Sequence, residues 1–219
     1  MRVKICGLRS RADLEVVLAA GADAVGFIVG ARHRTEDEVS PAAAAALVAA
    51  LPPFVSSVLV THQQQAATIL PLLRQVAPTT LQLQDAISPT EMALLRAALP
   101  GTKLIKAIHV MGPDAIAEAL AIEPFVDGLL LDSRTADRIG GTGLPHDWTI
   151  SRQIVERTAK PVILAGGLTP ANLAQALTAV GPAAVDVNSG VEDGAGQKDP
   201  ARVGAFVRLC RAHQASALL

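Results

Sequence analysis

Three kinds of residue in this 219-residue chain have the type and spacing for chemistry. The first is a thiol. Cys6 stands two residues beyond Lys4 in the run Val3-Lys4-Ile5-Cys6, and because strand side chains alternate, the ammonium and the sulfur face the same side. A neighbouring cation favours the thiolate, lowering its pKa from about 8.5 and making Cys6 a base near neutral pH. The same spacing fits a small buried hydrophobe, the usual fate of a free cysteine. The second is a carboxyl. Asp132 closes the apolar run Gly128-Leu129-Leu130-Leu131, where burial would raise its pKa and hold the proton that a general acid needs. A helix or turn cap would call for the same residue type at that place.

The third is glycine. Gly140-Gly141-Thr142-Gly143, Ala165-Gly166-Gly167 and Asp186-Val187-Asn188-Ser189-Gly190 are three segments within one stretch, and two of them follow the apolar runs 162–164 and 183–185. Glycine lets backbone N–H groups approach an anion, and a following helix N-terminus adds partial positive charge, so together they predict one phosphate site. Singly, each fits an ordinary turn. Asp186 would bind a ligand hydroxyl or cap Ser189 and Gly190. Lys106, inside another apolar run, is a further polar candidate. His33, His62, His109, His146 and His213 show no metal-ligand spacing and are expected mostly on solvated loops and helices, so no metal site is expected.

The elements that must position these groups repeat. Apolar runs at 3–6, 24–29, 54–60, 80–84, 103–108, 126–132, 161–165 and 183–187 read as strands. Helical patterns follow each one, at 10–20, from Ser40-Pro41 through the alanines, and at 63–75, 89–99, 113–121, 147–158, 170–180 and 200–212. Eight strand–helix units of roughly 25 residues each predict a single (β/α)8 TIM barrel, one α/β domain over residues 1–219. An open doubly wound sheet is the rival, but its nucleotide fingerprint is absent. In a barrel all strand C-termini share one face, and phosphate commonly sits beyond strands seven and eight, where two of the glycine segments fall.

Composition narrows the class. A net charge of -1 without a Lys/Arg cluster excludes an electrostatic nucleic-acid surface, and no apolar run reaches membrane-spanning length. No signal-peptide pattern opens the sequence, so a cytoplasmic protein is expected. Half the residues are hydrophobic but only 2% are aromatic, so the core must be built from Ala, Leu, Val and Ile. Cys6 and Cys210 are too few for a disulfide framework.

Six segments carry a resemblance along nearly the whole chain: Lys4-Ile5-Cys6-Gly7, Gly21-Ala22-Asp23-Ala24-Val25-Gly26-Phe27, Leu131-Asp132-Ser133, Gly140-Gly141-Thr142-Gly143 with Asp147-Trp148, Leu164-Ala165-Gly166-Gly167-Leu168, and 186–192. The chain resembles the phosphoribosylanthranilate isomerases of tryptophan biosynthesis. The resemblance implies a cofactor-free Amadori rearrangement of a phosphoribosyl aromatic amine, with Asp132 as general acid and Cys6 as general base. It implies phosphate held by Gly141, Gly143, Gly166, Gly167, Ser189 and Gly190, and substrate contacts at Lys4, Gln82 and Asp186. Two places depart from the family. Where it has an Arg three residues before Ser-Pro, resembling a clamp for the anthranilate carboxylate, this chain has Asp37, with Arg32 and Arg34 upstream. The family's Gln-Leu-His-Gly is Gln82-Leu83-Gln84-Asp85 here. Arg34 or Arg32 is expected to take over the clamp. A paralogue using another phosphoribosyl amine, a non-catalytic phosphosugar-binding barrel and a histidine-pathway sugar isomerase are the other readings, and a monomer and a homodimer are both compatible with the sequence.

Overall fold

A computed structural model describes residues 1–32, 35–133 and 147–216, with side chains as far as His213. Among these residues eight strands alternate with eight helices. The strands are β1 (Arg2–Ile5), β2 (Ala24–Ile28), β3 (Ser56–Thr61), β4 (Thr80–Leu83), β5 (Lys103–His109), β6 (Gly128–Asp132), β7 (Val162–Leu164) and β8 (Ala184–Val187). The helices are α1 (Arg11–Ala19), α2 (Pro41–Ala49), α3 (Ala66–Val76), α4 (Pro89–Ala98), α5 (Asp114–Ile122), α6 (Trp148–Arg157), α7 (Leu173–Val180) and α8 (Pro200–Ser216). Every strand pairs in parallel with the next, and β8 pairs with β1, closing the (β/α)8 barrel in chain order.

Helix starts follow their caps. Ser10 forms a reciprocal capping box with Asp13, while Ser40 and Ser88 each cap a helix whose first residue is proline. Several expected boundaries move, and three of the moves have a visible cause. The strand expected from Phe54 begins at Ser56, because the chain turns after Pro52-Pro53 and Phe54 has a left-handed φ of 71° with its ring fully exposed. The helix expected from Gln63 begins at Ala66, whose N–H is bonded by Glu91 Oε2 of α4 at 2.6 Å in place of a local cap. The helix expected from Pro170 begins at Leu173, because the Asn172 side chain turns back to accept from Thr169 N and donate to the Gly167 carbonyl.

Two cores result. Outside the strands, Phe27, Leu59, Leu81, Ile108 and Val185 pack against helix residues such as Leu14, Met92 and Phe206. Inside the barrel lie two smaller clusters, Cys6, Val58 and Val60 on one side and Ala107, Leu130 and Ala165 on the other. The opposite end of the barrel is stitched by a repeated device. The residue just before an even strand holds the start of the odd strand before it: Asp23 accepts from Val3 N, Thr79 exchanges bonds with Ser57, and Asp127 accepts from Leu104 N. That device recurs at β1–β2, β3–β4 and β5–β6.

Candidate active site

The strand C-termini open into a cavity of about 250 Å³. Its walls follow from strand order. Gly166 and Gly167 lie just beyond β7, Ser189 and Gly190 just beyond β8, and the two strands flanking this pair are β6, ending in Asp132, and β1, followed by Cys6. Directly across the barrel from β7–β8 are β3 and β4, which bring His62, Gln82 and Gln84 to the wall. The thiol and the carboxyl therefore stand on either side of the line that joins the glycine rim to the β3–β4 wall.

Pairing of β1 with β8 puts Lys4 opposite Asp186, and their side chains form a buried ion pair, Nζ to Oδ2 at 2.6 Å. Burial works against the Lys4 charge, but Asp186 and Cys6 outweigh it and its pKa is raised. Asp186 Oδ1 is buried with no hydrogen-bond partner among the described residues, which leaves an acceptor for a ligand. Cys6 corrects the sequence expectation. Burial, with Asp186 adding to it, outweighs the pull of Lys4, so the thiol pKa is raised rather than lowered. Space for the sulfur comes from Gly26 on β2, where a Cβ would stand 2.7 Å from Sγ and 3.0 Å from Lys4 Cε.

Asp132 behaves as burial requires: desolvation and the nearby Asp186 raise its pKa to about 6, against the lowering effect of Gln84. Gln84 Nε2 donates to Asp132 Oδ2 at 2.9 Å, and Gln84 Oε1 accepts from Gln82 Nε2 at 2.8 Å, so two amides fix the carboxyl. At the β7 end, Gly166 has a φ of 77°, and a Cβ there would land on Ser133 N and Oγ. Only glycine fits. Ser189–Val191 forms a short 3-10 turn beside it.

The structure thus brings Cys6, Asp132, Asp186, Gln82, Gly166, Gly167, Ser189 and Gly190 to one cavity, with Lys4 bonded to Asp186. Arg34, Gly141 and Gly143 lie outside the described residues. Asp37 reaches the cavity wall but is turned toward β8, accepting from Asn188 Nδ2 at 2.8 Å with Arg9 Nε 3.9 Å away. Lys106 is not on the cavity. It shares the outer face of β5 with Leu104 and Ile108, buried toward the helices, and donates to the Ala107 carbonyl. Burial brings its pKa down to about 8 despite Glu118 and Asp85. The histidine expectation also needs correction at two positions. His62 lines the cavity with its Nδ1 3.5 Å from Asp85 Oδ1, and His109 Nε2 contacts the Gln84 carbonyl at 3.0 Å. Sequence carried one signal for His62: it lies two residues beyond the strand run 54–60, at the end of the barrel where chemistry is placed. Gln84 closes the strand run 80–84 at the same end, but a glutamine there gives no hint of its partner until the fold sets it beside Asp132.

A closed (β/α)8 barrel with a thiol and a carboxyl lining one cavity at its C-terminal mouth defines the class of barrel enzymes that work at that face. Comparison narrows the class. The sequence model described as "N-(5'phosphoribosyl)anthranilate (PRA) isomerase" matches residues 3–209. An N-(5'-phosphoribosyl)anthranilate isomerase of Halobacterium salinarum is 46% identical over 209 residues, covering 94% of each chain. The crystal structure of the Thermotoga maritima phosphoribosyl anthranilate isomerase superposes with a TM-score of 0.84 at 32% identity, covering 97% of this chain and 99% of that one. A phosphoribosyl anthranilate isomerase in complex with reduced 1-(o-carboxyphenylamino)-1-deoxyribulose 5-phosphate superposes with a TM-score of 0.81 at 32% identity over the same shares. The chain belongs to the N-(5'-phosphoribosyl)anthranilate isomerase family.

Proposed function

We propose that this chain isomerises N-(5-phosphoribosyl)anthranilate to 1-(2-carboxyphenylamino)-1-deoxyribulose 5-phosphate, with Asp132 as general acid and Cys6 as general base. The observation that carries it is the placement of these two groups on opposite sides of the line running out from the glycine rim. A phosphosugar amine is a rod of phosphate, ribose and aryl ring. With the phosphate against Gly166, Gly167, Ser189 and Gly190, its ribose lies between β6 and β1. Asp132 then gives its proton to the ring oxygen, the C1′–O bond breaks, and the nitrogen lone pair forms the iminium. Cys6, as thiolate, takes the C2′ proton to leave an enolamine, which gains a proton at C1′ and loses one from the 2′ hydroxyl to become the ketone. One proton has moved from Asp132 to Cys6, and its return resets the site.

Asp186, held by Lys4, offers its second oxygen to a ribose hydroxyl, and the Lys4 charge close to Cys6 favours the thiolate once the site is filled. The chemistry uses only these side chains and needs no cofactor. A phosphoribosyl substrate fits a cytoplasmic enzyme, as monomer or homodimer. The test is a turnover assay with phosphoribosylanthranilate, paired with rescue of a tryptophan-requiring deletion strain. Turnover with rescue is expected, and absence of both with folded protein refutes the proposal.

A further inference from the structure

The proposed substrate ends in an aryl carboxylate, and resting on that reading we infer that His62, backed by Asp85, binds this carboxylate. Strand order places it there. The β3–β4 wall lies directly across the barrel from the glycine rim, so a rod anchored by its phosphate at β7–β8 delivers its far end to β3–β4. His62 follows β3 at this wall, and its side chain is only 12% exposed.

Charge makes the same assignment. The acidic side chains lining the cavity are Asp37, Asp132 and Asp186, and among the described residues His62 is the one lining side chain able to carry positive charge. Asp37, where a cationic clamp is expected, points toward Asn188 and Arg9 on the β8 and β1 side, away from the far wall. Asp85 is itself buried, with its Oδ1 3.5 Å from His62 Nδ1, close enough to orient the ring. A histidine ring N–H can donate a hydrogen bond to an aryl carboxylate. His62 and Asp85 are thus specificity-determining and positioning residues respectively, and neither takes part in the proton transfers.

The experiment compares kcat/KM for phosphoribosylanthranilate and for phosphoribosylaniline, which is the same rod without the carboxylate. His62→Leu should lower the first roughly ten- to hundredfold, the worth of one charge-assisted hydrogen bond, and leave the second unchanged. Asp85→Asn, which keeps the volume, should reduce the preference in the same direction by less, and thermal melting confirms that both variants fold. An unchanged preference in His62→Leu, or a preference lost in Arg34→Ala and kept in His62→Leu, overturns the assignment. If the wild-type chain turns over neither amine, the isomerase reading fails and this inference fails with it. If wild type prefers anthranilate and His62→Leu keeps that preference, the inference alone fails.

Discussion

Asp132 and Cys6 are both buried enough to hold protons above the pH at which free groups release them, and this sets the expected pH dependence. A pair that must hold one proton between acid and base is active between its two macroscopic pKa values, whichever group carries the proton at rest. For the free enzyme kcat/KM should rise through about pH 6, where Asp132 ionises, and fall only above the ordinary thiol range, where Cys6 does. Asp132→Asn should remove the limb near pH 6, and a limb that persists there would assign it to another group. The same burial has a stability consequence. The folded chain binds the Asp132 proton more tightly than the unfolded chain, so stability falls as pH rises from the ordinary aspartate range through about 6. At this scale the sequence was partly legible. Lys4 beside Cys6 could be counted from alternation, but Asp186 could not, because its place next to Lys4 depends on how β8 meets β1 across 182 residues. Omitting it, and the burial around the sulfur, gave the thiol shift the wrong sign.

The elements hold these side chains by devices that are independent of the site. Asp127 before β6 accepts from Leu104 N and from Arg96 Nη2, each at 2.8 Å. Although burial alone would raise its pKa, these bonds pull it below the usual carboxylate range. Asp127→Ala should cost about 1–3 kcal/mol and lower Tm by about 2–4 °C per kcal/mol, with kcat/KM unchanged. The sign with pH is opposite to that of Asp132: the contribution is present above the ordinary pKa and disappears as pH falls through the depressed one. Melting curves at neutral and acid pH check both statements, and an equal loss of Tm at both would refute the second. Strands and helices were largely readable because serine caps, prolines at first turns and apolar runs all coincide. What stayed hidden was the facing of individual residues. A parallel strand buried on both sides reads as one apolar run, so nothing in 103–108 says that Lys106 faces the helices while Ile105 and Ala107 face the barrel interior. The departures in the loop after β2 were visible as sequence, yet the turn of Asp37 toward Asn188 appears only in the folded chain.

At the scale of the whole molecule, closure of the barrel in chain order is what makes the site. It brings β8 beside β1, and so Asp186 beside Lys4, sets the proposed acid and base on the strands flanking the proposed phosphate rim, and leaves β3–β4 to meet the far end of the substrate. We read the eight units as one domain, since no strand closes the ring without the others. The isomerase account stands or falls with the two groups assigned to proton transfer. The most direct measurement is kcat for Cys6→Ser and Asp132→Asn with phosphoribosylanthranilate, alongside binding of reduced 1-(o-carboxyphenylamino)-1-deoxyribulose 5-phosphate and Tm. Each substitution should lower kcat by about 10²–10⁴ with binding and Tm nearly unchanged, whereas full turnover in either variant, or a loss of turnover that only follows a loss of folding, would contradict the account.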